Sequence, residues 1–294
     1  MNHLRATALV VGLGLGAISG AARADDAPAA GSGNIAGKVT WAKGDVPTKN
    51  LTVPDNNADK KHCESKGPIP DESVVVDPAS KGAQNIVVYL KAVEKIHDSY
   101  PQDEAAVKKA DEEAFAKANG GVGYDAIEEA VKSGKVNVDK ATGPAVFDQV
   151  YCKYIPHAFA VRAGQRVLFK NPEPCNHNVN SQSFEEANTF NLNMAPKTVL
   201  LTKNVISAEG KGQPSLVNLE CNVHNFMKAH MFVFPHPYFA VTGKDGSFTI
   251  KNVPPGDYNL VVRECNGKFA VGGRNGVKVT VTEGKVEKLD LEWK

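Results

Sequence analysis

Cys221-Asn222-Val223-His224-Asn225-Phe226-Met227 lies between two strand-like runs, 215–219 and 230–234, and so reads as a loop joining neighbouring strands. A thiolate, an imidazole and a thioether share this loop at two-residue gaps: Cys221, His224 and Met227. A second imidazole, His177, waits upstream in Asn176-His177-Asn178, just past the strand-like run 166–170. Two His, one Cys and a weak axial Met make a type 1 copper centre. Thiolate and thioether favour Cu(I) while imidazole tolerates Cu(II), so a site satisfying both states exchanges an electron with little rearrangement. His177, Cys221, His224 and Met227 are the candidate ligands of one copper ion per chain.

The strand reading extends outward from the loop. Residues 146–151, 158–161 and 198–202 are further short runs closed by Gly, Pro and Asn, and many short strands so punctuated indicate a sandwich or barrel. Upstream, 35–41, 72–76 and 85–90 carry the same signal. Between 98 and 140 the period changes. Val107, Ala110, Ala114 and Ala118 recur at helical spacing, Ser99 and Gln102 stand at capping-box spacing, and Gly120-Gly121 follow the last turn. A second short helix over 125–132 stops at Gly134. Both helices read as solvated decoration without a catalytic role. From Tyr238 a new unit starts, with runs at 239–242, 248–251 and 258–263 broken by Lys244-Asp245-Gly246 and Pro254-Pro255-Gly256, and closing strands to Trp293. The expected architecture is all-β: one sandwich over 34–237 with a helical insert at about 98–140, then a small antiparallel sandwich over 238–294.

Arg5, the apolar stretch 6–18 and Ala22-Arg23-Ala24 predict a signal peptide over 1–24, cut before Asp25. The stretch is broken by Gly12, Gly14 and Gly16 and is too short for a stable membrane anchor. Residues 25–33 read as a disordered leader. No second apolar run of spanning length follows, so about 270 of the 294 residues are expected in an exported, oxidising space without stable membrane insertion; in a bacterium this is the periplasm. A formal charge of +1 gives no argument for nucleic acid as a partner. Five cysteines leave one over, and Cys221 in the metal loop takes that place. Cys63, Cys152, Cys175 and Cys265 are the disulfide candidates, with three pairings that sequence alone does not separate; Cys63 with Cys152 and Cys175 with Cys265 is the working assignment. The connection 45–70, which holds His62 and Cys63, reads as a loop pinned by such a bridge.

These residues resemble the cupredoxins. The C-x2-H-x2-M spacing is like that of the amicyanin group, and the likeness takes in the strand 164–169 and the His-Asn-Val run, roughly 145–237 in all. It extends more loosely to the strands of 37–90. Asn225 stands where amicyanin-like loops carry proline. The resemblance implies a Greek-key β-sandwich, one-electron transfer, and a redox partner protein such as a cytochrome or a periplasmic dehydrogenase. The unit from Tyr238 on, with Asp245-Gly246-Ser247-Phe248-Thr249-Ile250 and Pro254-Pro255-Gly256-Asp257-Tyr258, looks like a carboxypeptidase regulatory-like domain of transthyretin type.

Supporting roles follow from the same segment. Asn178, beside His177, is expected to tie the two ligand loops together. Phe226 and an exposed edge of His224 are the expected electron port. His157, His230 and His236 read as ordinary strand or turn histidines, and Met194 as a core or loop methionine. Structural zinc wants more thiolates and no thioether, so Met227 argues against it. No Ser-His-Asp motif, phosphate loop or H-E-x-x-H helix is present, so the chain is not expected to be an enzyme. A copper-binding or delivery module is the first alternative, and a non-catalytic cell-surface interaction sandwich the second.

Overall fold

The computed structural model describes residues 27–202 and 214–294; the predicted signal peptide and its cleavage site fall outside them. Strands dominate, in two sandwiches. In the first, five strands are ordered Asn191–Met194, His177–Gln182, Ser215–Glu220, Lys228–Phe234 and Ala158–Arg162. Facing them are four, ordered Thr198–Leu201, Leu168–Asn171, Val146–Gln149 and Tyr154–Ile155. Two neighbouring pairs are parallel, Lys228–Phe234 with Ala158–Arg162 and Val146–Gln149 with Leu168–Asn171; the rest are antiparallel. Phe147, Tyr154 and Phe169 of the smaller sheet meet Phe159, Val179, Leu219 and Met231 of the larger in one buried cluster.

The second sandwich begins far earlier than Tyr238. Gly33–Trp41 lies between Ser247–Val253, antiparallel, and Val286–Trp293, parallel. Val87–Lys91 lies between Phe239–Val241 and Gly256–Arg263, antiparallel to both. Ile35, Val39, Val88 and Leu90 therefore share a core with Ile250, Leu260, Leu291 and Trp293. This corrects the expected boundaries: the strands of 33–91 belong with the C-terminal unit, and the metal-loop sandwich is inserted between two parts of it. A short strand carries no address for a partner some two hundred residues away, so the sequence pattern alone assigned it to its neighbours.

Val87, Tyr89 and Val261 turn their side chains away from the second core and meet Ala160, Phe232 and Phe234 of the first sandwich. Those strands are apolar at successive positions because both faces are covered, one by the core and one by the other unit.

The insert also departs from expectation. Its helices, Glu104–Ala118 and Tyr124–Lys132, lie close to the predicted ranges, and Gly120, Gly121 and Gly134 have the left-handed φ values of 63°, 90° and 77° that end such helices. The N-cap, however, is Asp103, whose side chain accepts the Ala106 N–H at 2.8 Å, while Ser99 bonds His97 instead. The helices are not solvated decoration. Phe115, Ile127 and Val131 pack on Leu168, Val199 and Leu201, covering the outer face of the four-stranded sheet. The leader is likewise ordered from residue 27: Ala29 N–H donates to Asn252 at 3.0 Å, Ser32 is fully buried and Gly33 opens the first strand.

Cys63 and Cys152 form a disulfide with Cα atoms 5.1 Å apart. The second assigned bridge is absent: Cys175 and Cys265 are both free and buried. Cys175 lies in the core of the first sandwich, whereas Cys265 follows Gly256–Arg263 in the second.

Candidate metal centre

Hairpin geometry places the candidate ligands. Ser215–Glu220 and Lys228–Phe234 pair in register from Ser215↔Val233 to Glu220↔Lys228, so Cys221 to Met227 is the loop that closes their end. Cys221 N–H donates to the Met227 carbonyl at 3.2 Å and Met227 N–H to the His224 carbonyl at 2.8 Å, which folds the loop back on itself. His177 opens the strand on the other side of Ser215–Glu220, where Asn180 faces Glu220, and so arrives at the same end. Asn178 joins the two segments: its Oδ1 accepts the Asn222 N–H and its Nδ2 donates to Asn191 at 2.8 Å.

The donor atoms converge. His177 Nδ1 and His224 Nδ1 are 3.0 Å apart, and Cys221 Sγ is 3.9 Å from His224 Nδ1. Ligand atoms of the three residues lie within 4.8 Å of one another, and all three side chains are buried, with Met227 in the same cluster as Cys221. Each ring turns its other nitrogen to a carboxylate: His224 Nε2 is 3.2 Å from Asp59 and His177 Nε2 is 3.4 Å from Glu173. A carboxylate there keeps a proton on Nε2, so that an incoming cation would displace the Nδ1 proton and take up the Nδ1 lone pair. Two imidazole nitrogens and a thiol aimed at one point are a donor set that fits a copper ion.

Electrostatics favours a thiolate. Burial pushes the Cys221 thiol up, but hydrogen bonds from His177, His224 and the backbone of Asn178 outweigh it and hold the group well below its ordinary value. Burial opposes charge on His177 too, yet Cys175, Cys221 and Glu173 hold its pKa above the ordinary histidine range. Glu173 is half of this balance. Burial disfavours its charge, while His177, the N–H groups of Cys152 and Tyr151 at 2.9 and 2.7 Å, and His62 together bring it down to about 2.

The expected electron port is corrected. His224 is fully buried and Phe226 nearly so, its ring 5.7 Å from His224. The segment from Lys49 to Asp71 crosses this end of the sandwich, brings Asp59 onto His224, and is anchored by Cys63–Cys152. The apolar side chain this loop exposes is Val223, at 48%. Of the remaining residues, Met194 is buried and paired in register with His177, with its sulfur 2.9 Å from Gln149 Nε2, and His236 is buried between Phe234 and Tyr238. Glu173 and Asp59 were not among the predicted site residues. Glu173, four residues before His177, was findable as the acid such a ligand needs on its far nitrogen; nothing in the sequence marks Asp59.

No family profile and no curated protein matches the chain. Solved structures do. An oxidised methionine-to-leucine variant of amicyanin overlays 33% of this chain and 89% of its own, at 20% identity and TM-score 0.27. An oxidised proline-to-alanine variant of amicyanin overlays 30% of this chain and 80% of its own, at 21% identity and TM-score 0.26. The Cu-containing nitrite reductase (NirK) from Thermus scotoductus SA-01 overlays 31% of this chain at 15% identity and TM-score 0.26; the match spans 22% of that enzyme.

Proposed function

We propose that this chain is an exported cupredoxin-like protein that holds one type 1 copper and passes single electrons between redox partner proteins, without catalysing a reaction of its own. The observation that carries this reading is the convergence of His177 Nδ1, His224 Nδ1 and Cys221 Sγ while both Nε2 atoms rest on carboxylates. When bound, copper supplies one-electron exchange between its cuprous and cupric states. The chain does the rest. His177, Cys221 and His224 provide the strong donors, Met227 the weak thioether, and Asn178 fixes the spacing of the two ligand segments. The disulfide-anchored segment over His224 keeps water from the donors, and a rigid, dry site keeps reorganisation small. The unit formed by 33–91 and 239–293 is read as a transthyretin-type sandwich that serves as a platform. Among the described residues no helix is long and apolar enough to cross a membrane. The disulfide and the predicted signal peptide support a periplasmic location.

The test is optical. Protein reconstituted with Cu(II) should show the intense visible band of a thiolate-to-copper charge transfer, and Cys221→Ser should lose it. Met227→Leu should keep the band and raise the reduction potential. A colourless wild-type protein, or unchanged copper binding in Cys221→Ser, overturns the reading. Rapid loss of Cu(I) to a chelator without reversible voltammetry would favour delivery of the metal instead.

A further inference from the structure

The second sandwich sends one cysteine to the first. Cys265 is 1% exposed and forms no disulfide, and its Sγ lies with ring nitrogens of His157 and His230 such that the three donor atoms are all within 4.8 Å of one another. The histidines sit on neighbouring strands: His157 immediately precedes Ala158–Arg162, and His230 belongs to Lys228–Phe234. His230 N–H donates to the His157 carbonyl at 2.9 Å, and the two rings stand 5.5 Å apart, nearly perpendicular.

The lone pairs can be placed. His230 Nδ1 is 2.9 Å from the side-chain oxygen of Asn218, which only accepts, so the ring proton is on Nδ1 and Nε2 is free to donate its electrons. His157 bonds the backbone of Lys228 through one nitrogen, while its Nε2 is buried without any hydrogen-bond partner. A buried ring nitrogen left unpaired destabilises the fold unless something occupies it. A cavity of about 230 Å³ borders both rings, with Asp71 and Ser73 on its wall.

We propose that His157, His230 and Cys265 form a second metal site, for a thiophilic d10 ion, Cu(I) or Zn(II), separate from the His177–Cys221–His224–Met227 centre. Ligand atoms around one such ion, at ~2.0 Å for nitrogen and ~2.3 Å for sulfur, stand roughly 3.3–3.8 Å apart, so the donors need close by only about 1 Å. Burial keeps both imidazoles neutral and pushes the Cys265 thiol up to about 12. The ion therefore replaces the thiol proton, which leaves to solvent as the sulfur–metal bond forms. Because two ligands come from one sandwich and the third from the other, the bound ion clamps the two units together.

The full chain carrying Cys221→Ala, in which the first centre is disabled, should be titrated with Zn(II) and, anaerobically, with Cu(I) against a chromophoric chelator. One equivalent of at least one ion should remain bound, and the two titrations show which is held more tightly. Adding His157→Ala or Cys265→Val should weaken retention by more than the 10–100-fold that losing a supporting hydrogen bond costs a metal site. Bound ion should also slow alkylation of Cys265 in the Cys221→Ala protein, a readout independent of whether the double variants fold. Retention of neither ion, retention unchanged by Cys265→Val, or alkylation unaffected by metal each overturns the site. None of these measurements uses the visible band, so failure here and failure of the type 1 reading are separable.

Discussion

The two sandwiches are built alike and differ in how their strands are gathered and where their buried polar groups lie. Each has an apolar core between two sheets and a strand buried on both faces. The first is assembled from one stretch, 146–234, and its candidate ligands sit on a hairpin loop and on the strand beside it. The second is assembled from both described ends of the chain, Gly33–Trp41 and Val87–Lys91 with Phe239–Val241 to Val286–Trp293. The buried titratable groups follow the same division. Cys221, His177, His224 and Glu173 crowd one end of the first, whereas the core of the second is nearly all apolar. Local pairing fixes the candidate donor atoms relative to one another, and long-range pairing closes the second core.

The contact between the units is the place to break this division. Phe234 is fully buried, 5.2 Å from Tyr89 and 4.4 Å from Phe239 between ring centroids, so it packs against the second unit from the first. Phe234→Ala should cost about 3–5 kcal/mol, the usual range for emptying an aromatic site. In denaturant, one cooperative transition should split into two as the units lose their coupling. A single transition shifted by less than about 0.5 kcal/mol, on the order of a surface substitution, would mean that Phe234 contributes little to the coupling of the units.

His236, at the same junction, sharpens the comparison through pH. Burial holds its pKa down to about 4, against an ordinary value of 6.5. Between those values the unfolded chain takes up a proton that the folded chain refuses, so stability falls as pH drops from 6.5 and the whole loss, about 3 kcal/mol, is present below pH 4. His236→Gln should flatten the acid limb of a stability–pH curve measured by thermal unfolding. An unchanged limb would assign that loss to other groups.

What the sequence made legible follows the same line. The ligand loop, the strand before His177 and both helices of the insert were readable because their signals are local: alternation, a C-x2-H-x2-M spacing, and glycines at helix ends. The partners of Gly33–Trp41 were not, because period-two alternation says that a strand has a buried face and not which strand lies beside it. The cover over His224 was unreadable for a similar reason. Asp59 reaches that ring from 165 residues away, and although the bridge that holds its segment, Cys63–Cys152, is the half of the working assignment that the fold bears out, nothing in the sequence shows that it lays this segment over His224.

Glu173 gives the smallest and most discriminating test. Its carboxylate accepts N–H groups of Tyr151 and Cys152 and lies 3.4 Å from His177 Nε2, so it links the disulfide to the first candidate ligand. Glu173→Gln keeps the shape and one acceptor but removes the charge that holds the ring proton on Nε2. Copper affinity should fall about 10–100-fold, or ~1.4–2.8 kcal/mol, with the visible band retained. Asp59→Asn should have a smaller effect, because the Asp59 side chain is partly exposed and its charge is screened. The opposite order, with Asp59→Asn the more harmful, would show that covering His224 matters more than orienting His177. The specificity of the first sandwich would then reside in the segment that caps it rather than in the strand that bears the ligand.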